Sequence, residues 1–214
     1  MRNYIELIVR LRWLVIAVIL GLTVFFVKNL GNLTVIIDPN TIVPQSHPFV
    51  STTLKIEEVF GSRYVAAIGV TAKDGDVFQP EILAKVQRIT QRLSETPRVV
   101  QTNLLSVAAS RVKDIKGTED GMQVQQMMEE VPTTPEGLAA LKEALLRNNS
   151  YMNSVVSEDF KTLTILAEVR DASPEDKKEG RVGFTYVSDR ISEAVDPERD
   201  DSVTIEVTGY PPFI

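Results

Sequence analysis

From Trp13 to Val27 every residue is apolar except Gly21 and Thr23, and carrying the run on to Leu30 adds only Lys28 and Asn29. Eighteen residues of helix cover about 27 Å at roughly 1.5 Å each, close to the hydrocarbon thickness of a bilayer. The segment therefore predicts a membrane-spanning helix. Its ends suit that reading: Arg10 and Arg12 precede the run, Trp13 falls at headgroup level, and Lys28 can snorkel to the far interface. Arg2, Arg10 and Arg12 on a short tail assign the N-terminus to the cytoplasm and all that follows Leu30 to the other side. Ahead of the span, Tyr4, Leu7, Ile8 and Leu11 recur at helical spacing among charged residues, the pattern of a short helix lying along the membrane face. Two other readings compete. A cleaved signal peptide shares the basic start and apolar middle, but Phe25-Phe26-Val27-Lys28 offers no small-x-small cleavage site. A buried core helix would normally show some polar face, and this run has none.

The remainder has a different balance. Residues 1–30 hold four of the 23 basic residues and one of the 29 acidic ones, leaving 19 against 28 beyond them. A folded part that acidic repels phosphate backbones, so no nucleic-acid partner is expected. With 214 residues, 43% of them hydrophobic, the chain has material for one packed domain plus an appendage.

The expected organisation is an anchor over 1–30, a connecting segment and helix over 31–62, and a domain over 63–210 with an insertion at about 108–158. In the connector, Leu33 to Ile37 is a brief apolar run, Asp38-Pro39-Asn40 a turn, and Phe49 to Phe60 a helix ended by Gly61. Tyr64 to Thr71 reads as a strand, Pro80 opens a helix with an Ile82, Leu83, Val86, Ile89, Leu93 stripe, and Val99 to Val107 reads as a second strand. Val112 to Val124 suggests a hairpin turning at Glu119-Asp120-Gly121, with a helix-like Met127 to Glu130 behind it. A helix follows from Thr134-Pro135-Glu136 to about Arg147. Thr162 to Val169 is a strand, Ser173-Pro174-Glu175 caps a helix burying Phe184, Val187, Ile191 and Val195, and Ser202 to Thr208 alternates as a last strand. Without the insertion this is strand, helix, strand, twice over. Two such halves interleave into a four-stranded ferredoxin-like (split βαβ) sheet with both helices on one face, an α+β fold.

Site chemistry is sparse. There is no cysteine, so thiol nucleophiles, disulfides and thiolate ligands are excluded, and one histidine cannot build a three-histidine metal centre. His47, in Ser46-His47-Pro48, reads as a solvated loop residue, since no nucleophile elbow accompanies it. Lys73-Asp74-Gly75-Asp76 and the stretch from Asp114 to Gly121 lack the alternating acids of a calcium loop, and turn chemistry accounts for both. The acids Asp196, Glu198, Asp200 and Asp201 read as a solvated loop. No phosphate-binding glycine loop is present, and Asn32-Leu33-Thr34 and Asn148-Asn149-Ser150 match glycosylation acceptors. No catalytic residue, metal or cofactor is expected; the chain reads as a binding or structural module, not an enzyme.

Particular stretches form a series along the chain: Asp38-Pro39-Asn40 leading to Val43-Pro44 and His47-Pro48, then Glu57-Glu58-Val59-Phe60-Gly61, Phe78-Gln79-Pro80-Glu81, Val99 to Leu105, and Val207-Thr208-Gly209-Tyr210-Pro211. Together they resemble the resistance-nodulation-division (RND) transporters, in the hydrophobe-exporter branch of mycobacterial membrane protein large (MMPL) and patched-like proteins. The resemblance runs over nearly the whole chain but rests on packing and turn motifs. It implies an N-terminal fragment: a first transmembrane helix, a periplasmic porter domain, and at 211–214 the lead into a second span. It further implies a bacterial inner (plasma) membrane location and proton-driven export of lipids or other amphiphiles. The partners would be the bilayer, the rest of the transporter chain, a hydrophobic cargo and a homo-oligomeric copy. A bitopic sensor with an extracytoplasmic ligand-binding domain is the alternative, and a periplasmic enzyme on a signal anchor a weaker one.

Overall fold

The computed structural model describes residues 11–30, 47–52, 55, 64–118 and 121–209, except for the side chains of Asn29 and Phe184. The expected membrane-face helix with Arg10, the 33–37 run, the Asp38-Pro39-Asn40 turn, most of the 49–60 helix and the 211–214 lead all lie outside them. The chain divides into two units, one up to Pro39 and one from Asn40 onward. In the first, α1 runs over Arg12–Leu30.

The second unit is a mixed α+β domain. Its main sheet has three strands, β1 (Val65–Ala72), β4 (Thr162–Glu168) and β5 (Val203–Gly209), in the order β4-β1-β5 and antiparallel throughout. Alternation along each strand builds one apolar face: Ala66, Ile68 and Val70 of β1, Leu163, Ile165 and Ala167 of β4, and Val203 and Ile205 of β5 are buried. The opposite face is small and polar, with Ala67, Gly69, Thr71 and Thr164 half-buried.

Helix α2 (Pro80–Glu95) buries the expected Ile82, Leu83, Val86, Ile89 and Leu93 in this core. The turn before it is held locally: Gly75 takes φ +73°, the Phe78 N–H donates to Asp76, and the Gln79 amide donates to the carbonyls of Asp74 and Asp76, both at 2.8 Å. The insertion holds a two-stranded hairpin, β2 (Lys113–Thr118) and β3 (Gly121–Gln126), and helix α3 (Pro135–Arg147), which the Thr134 hydroxyl caps by accepting the Gly137 N–H.

Three expectations are corrected. Val99 to Val107 is not a strand: Arg98 sits at φ 73° and Gln101–Asn103 coils into a 3₁₀ turn, so only isolated bridges form, Leu105 to Leu166 of β4 and Val99 to Val169 just beyond it. The polar Gln-Thr-Asn run breaks the alternation that a fourth strand needs, and the Asn103 amide instead donates to Glu168 at 2.6 Å. Met127 to Glu130 is bent chain rather than helix, because Met127 and Met128 turn inward as core residues. The helix after Ser173 is two helices, α4 (Pro174–Lys178) and α5 (Gly183–Val195), since Gly180 and Gly183 take φ of +74° and +75° between them. Of its expected buried residues, Val187, Ile191 and Val195 are buried, and the Phe184 side chain lies outside the described residues.

Candidate functional site

The expected anchor residues fall on α1, except Arg10. Trp13 is 74% exposed, and the described α1 side chains are exposed apart from half-buried Val15. Leu14, Ile16, Val18, Ile19, Leu20, Leu22 and Val24 to Val27 are exposed, and they leave the helix without a polar side. Its one hydroxyl is satisfied internally, Thr23 donating to the Ile19 carbonyl at 2.8 Å. Arg12 and Lys28 bracket the apolar part. Among the described residues no helix is long and apolar enough to cross a membrane.

His47 opens a helical turn over Pro48 to Thr52, where its Nδ1 accepts the Phe49 N–H at 3.2 Å. It is an exposed capping residue with one ring nitrogen already engaged, as a loop reading requires. Phe78 is core: its ring lies 5.7 Å from that of Phe160, and the Lys142 ammonium sits over both.

The four acids near the C-terminus are not simply a solvated loop. Glu198 is 4% exposed and grips two arginines of α2, Arg88 at 2.5 Å and Arg92 at 2.8 Å, while Lys85 donates to the Glu198 carbonyl and pairs with Asp200. Hydrogen bonds from Arg88 hold the Glu198 carboxyl below its usual range against the opposing effect of burial, with Arg92 adding to the depression. Lys85, Arg88 and Arg92 stand at i, i+3 and i+7, one stripe of the helix. That stripe and the acidic run were both visible in the sequence; their pairing across 110 residues was not.

Asp114 likewise does more than turn chemistry. Its side chain is 2% exposed and accepts from Arg147 at 2.9 Å and from the Asn148 amide at 3.0 Å, tying β2 to the end of α3. Burial alone would raise its pKa, and the hydrogen bonds from Arg147, Asn148 and Lys116 more than offset this, leaving it lowered. Because the Asn148 amide also donates to Ala144 at 2.7 Å, the matching glycosylation acceptor is already occupied. Asp114→Ala should loosen the hairpin by about 1–2 kcal/mol, the cost of stranding a half-exposed arginine and a half-buried amide. Hydrogen exchange of the β2 amides should rise while that of β1 stays put; equal protection in both variants would refute the tether.

A third node lies at α4. Asp176 is fully buried in a capping box with Ser173 and accepts from Arg170 at 2.6 Å and Arg181 at 3.0 Å; these hydrogen bonds, Arg170's first, keep its pKa far below the usual carboxylate range. Nearby Arg98, 3% exposed, donates to the carbonyls of Arg170 and Gly183, and burial lowers its pKa. In each node the buried carboxylate is paired with arginine side chains.

The described surface also carries a cleft of about 320 Å³ between α2 and the start of the insertion, lined by Gln87, Thr90, Gln91, Gln101 and Gln126. Its polar groups are largely spent: Thr90 bonds Ser106 at 2.7 Å, the Gln87 amide donates to Glu129, and the Gln126 amide to Ala108 and Met128. Among the described residues no group of histidines and acids could hold a metal ion. Compared with known proteins, the chain matches no family model and no curated protein.

Proposed function

We propose that this chain is the opening part of a proton-driven RND-type exporter of lipids or other amphiphiles, in which α1 is the first membrane anchor and the domain over 63–210 is an extracytoplasmic porter domain. The observation that carries the reading is α1 itself. Its 19 residues extend about 28 Å at ~1.5 Å per residue, short of the ~30 Å of a hydrocarbon core, a shortfall that local thinning of the bilayer takes up in this reading. Apolar side chains point outward on every face, with Arg12 and Trp13 at one end and Lys28 at the other. Exposed aliphatic and phenyl groups of that number are costly in water and favourable in lipid.

The domain supports the same reading through its topology. With the 98–105 segment counted as a degenerate edge, the order is β5, β1, β4, then that segment, each antiparallel to the next. That is the order a split βαβ, ferredoxin-like sheet produces, with the hairpin and α3 as the insertion between its halves. None of the nodes described above supplies proton-coupling chemistry, so in this reading the coupling acids belong to the rest of the transporter.

The absence of native cysteine gives a direct test, since any introduced thiol is unique. Expressed in bacteria, Ser110→Cys should react with a membrane-impermeant maleimide in intact spheroplasts, and Asn3→Cys only after lysis. Both proteins should stay in the membrane pellet after alkaline carbonate extraction. Release into the supernatant, or protection of Ser110→Cys in intact spheroplasts, would overturn the anchor. A reading frame that stops at codon 214 in the native gene would overturn the exporter.

A further inference from the structure

We infer that β3 is a docking edge for a second copy of this chain, which adds its own β3 antiparallel across a twofold axis. The inference rests on the hairpin alone and holds wherever α1 resides. The two outer edges of the hairpin are treated differently. That of β2 is covered: the Lys113 N–H donates to the Tyr151 hydroxyl at 3.0 Å and the Ile115 N–H to the Asn148 side chain at 3.3 Å. Those outward N–H groups fix the phase of the ladder, so in the register Ile115↔Val124 and Gly117↔Met122 the backbone groups of Met122 and Val124 also point outward, on the far side. Among the described residues nothing accepts from or donates to them.

The composition of β3 lacks the usual protection of an exposed edge. Its sequence, Gly-Met-Gln-Val-Gln-Gln, has no charge and no proline, the devices by which exposed edges are normally protected. Of the five strands among the described residues only β1 shares this lack of charge, and β1 is covered on both sides; β2 carries Lys113, Asp114 and Lys116, β4 Glu168 and β5 Glu206. One face of the hairpin packs through Asp114 on α3, and the other leaves Ile115 43%, Val124 56% and Met122 72% exposed in one continuous apolar row.

A twofold interface must be complementary to itself, because a charge near the axis meets its own copy. Neutral β3 meets that condition. Centred on Gln123, the pairing sets Met122 against the partner's Val124 twice over, with Gln123 facing its own copy and no like charges opposed. The apolar rows of the two hairpins then run together, and the outward backbone groups of Met122 and Val124 find partners.

The test uses the full chain in detergent micelles. Two Gln123 positions would form a non-hydrogen-bonded pair with Cα atoms about 4.5 Å apart, within disulfide reach. Gln123→Cys should therefore cross-link to a dimer on mild oxidation, while Ser110→Cys, exposed elsewhere, should not. Sedimentation should show a reversible dimer of the unmodified chain. Val124→Lys, which sets a cation beside the axis on each copy at an exposed site, should weaken it by about tenfold or more and abolish the Gln123→Cys cross-link. An unmodified chain that sediments only as a monomer would overturn the inference, as would equal cross-linking through Ser110→Cys, a dimer that survives Val124→Lys, or a strand from a different protein recovered on β3.

Discussion

Gly209→Ala should destabilise the domain by about 2–3 kcal/mol, although Gly209 lies on the surface at the end of β5. The residue is at φ +99°, a conformation that a side chain disfavours. It also pairs with Ala66 in the antiparallel ladder, and a methyl group added there would overlap the carbonyl oxygen of Val65 and approach the Val65 carbonyl carbon at 3.2 Å. Relief cannot come from β1, whose Val65 and Ala66 are held on their other side by Glu168 and Ala167 of β4. The end of β5 must therefore swing away and give up its last pairings. Gly117→Ala is the matched control, a strand glycine at ordinary φ with nothing within 4 Å of the new methyl, and it should be close to neutral. Urea unfolding of both variants, with amide exchange at Val207 and Thr208, checks the argument. Equal stability of the two alanine variants would sink it.

Gly209 also shows what could be read ahead of the structure. Strands β1, β4 and β5 were legible because one face is buried and the other is not, so alternation is written into residues such as Val203, Ile205 and Val207. Helices α2 and α3 announced themselves by proline at the first turn and, for α3, by the Thr134 cap. The need for glycine at 209 was not legible, because it depends on Val65, which is remote in sequence and adjacent in space. The 98–105 segment misled for a related reason: Val99, Val100, Leu104 and Leu105 have strand composition, and only the 3₁₀ turn and the φ of Arg98 reveal a crossing rather than a ladder. The break between α4 and α5 was within reach, since Gly180 and Gly183 flank it, but phenylalanine and valine beyond the break continue an apolar period that masks it.

The charged nodes were the least legible part, because a buried ion pair and a solvated one have the same composition. Glu198 is the case with the largest consequence: Glu198→Ala should cost about 2–3 kcal/mol, below the upper range for a broken buried pair because Arg88 and Arg92 are 49% and 39% exposed and can recover water. Glu198→Gln, which keeps the shape and part of the hydrogen bonding, should cost roughly half as much. The pH dependence has a definite sign. Hydrogen bonding to Arg88 holds the folded carboxyl below its ordinary value of about 4.3, so the stabilisation is fully present above that value and is lost as pH falls through the depressed folded pKa. Measured from neutrality downward, the stability gap between the native chain and Glu198→Ala should therefore stay constant to about pH 5 and then close as the carboxyl takes up its proton. The turn at Asp196–Glu198 leads directly into β5, so releasing it from Lys85, Arg88 and Arg92 frees the start of the edge strand, and exchange at Val203 should rise before exchange at Ile68 does. A gap independent of pH, or exchange that rises uniformly through the sheet, would show that the carboxylate is not what fastens α2 to the end of the domain.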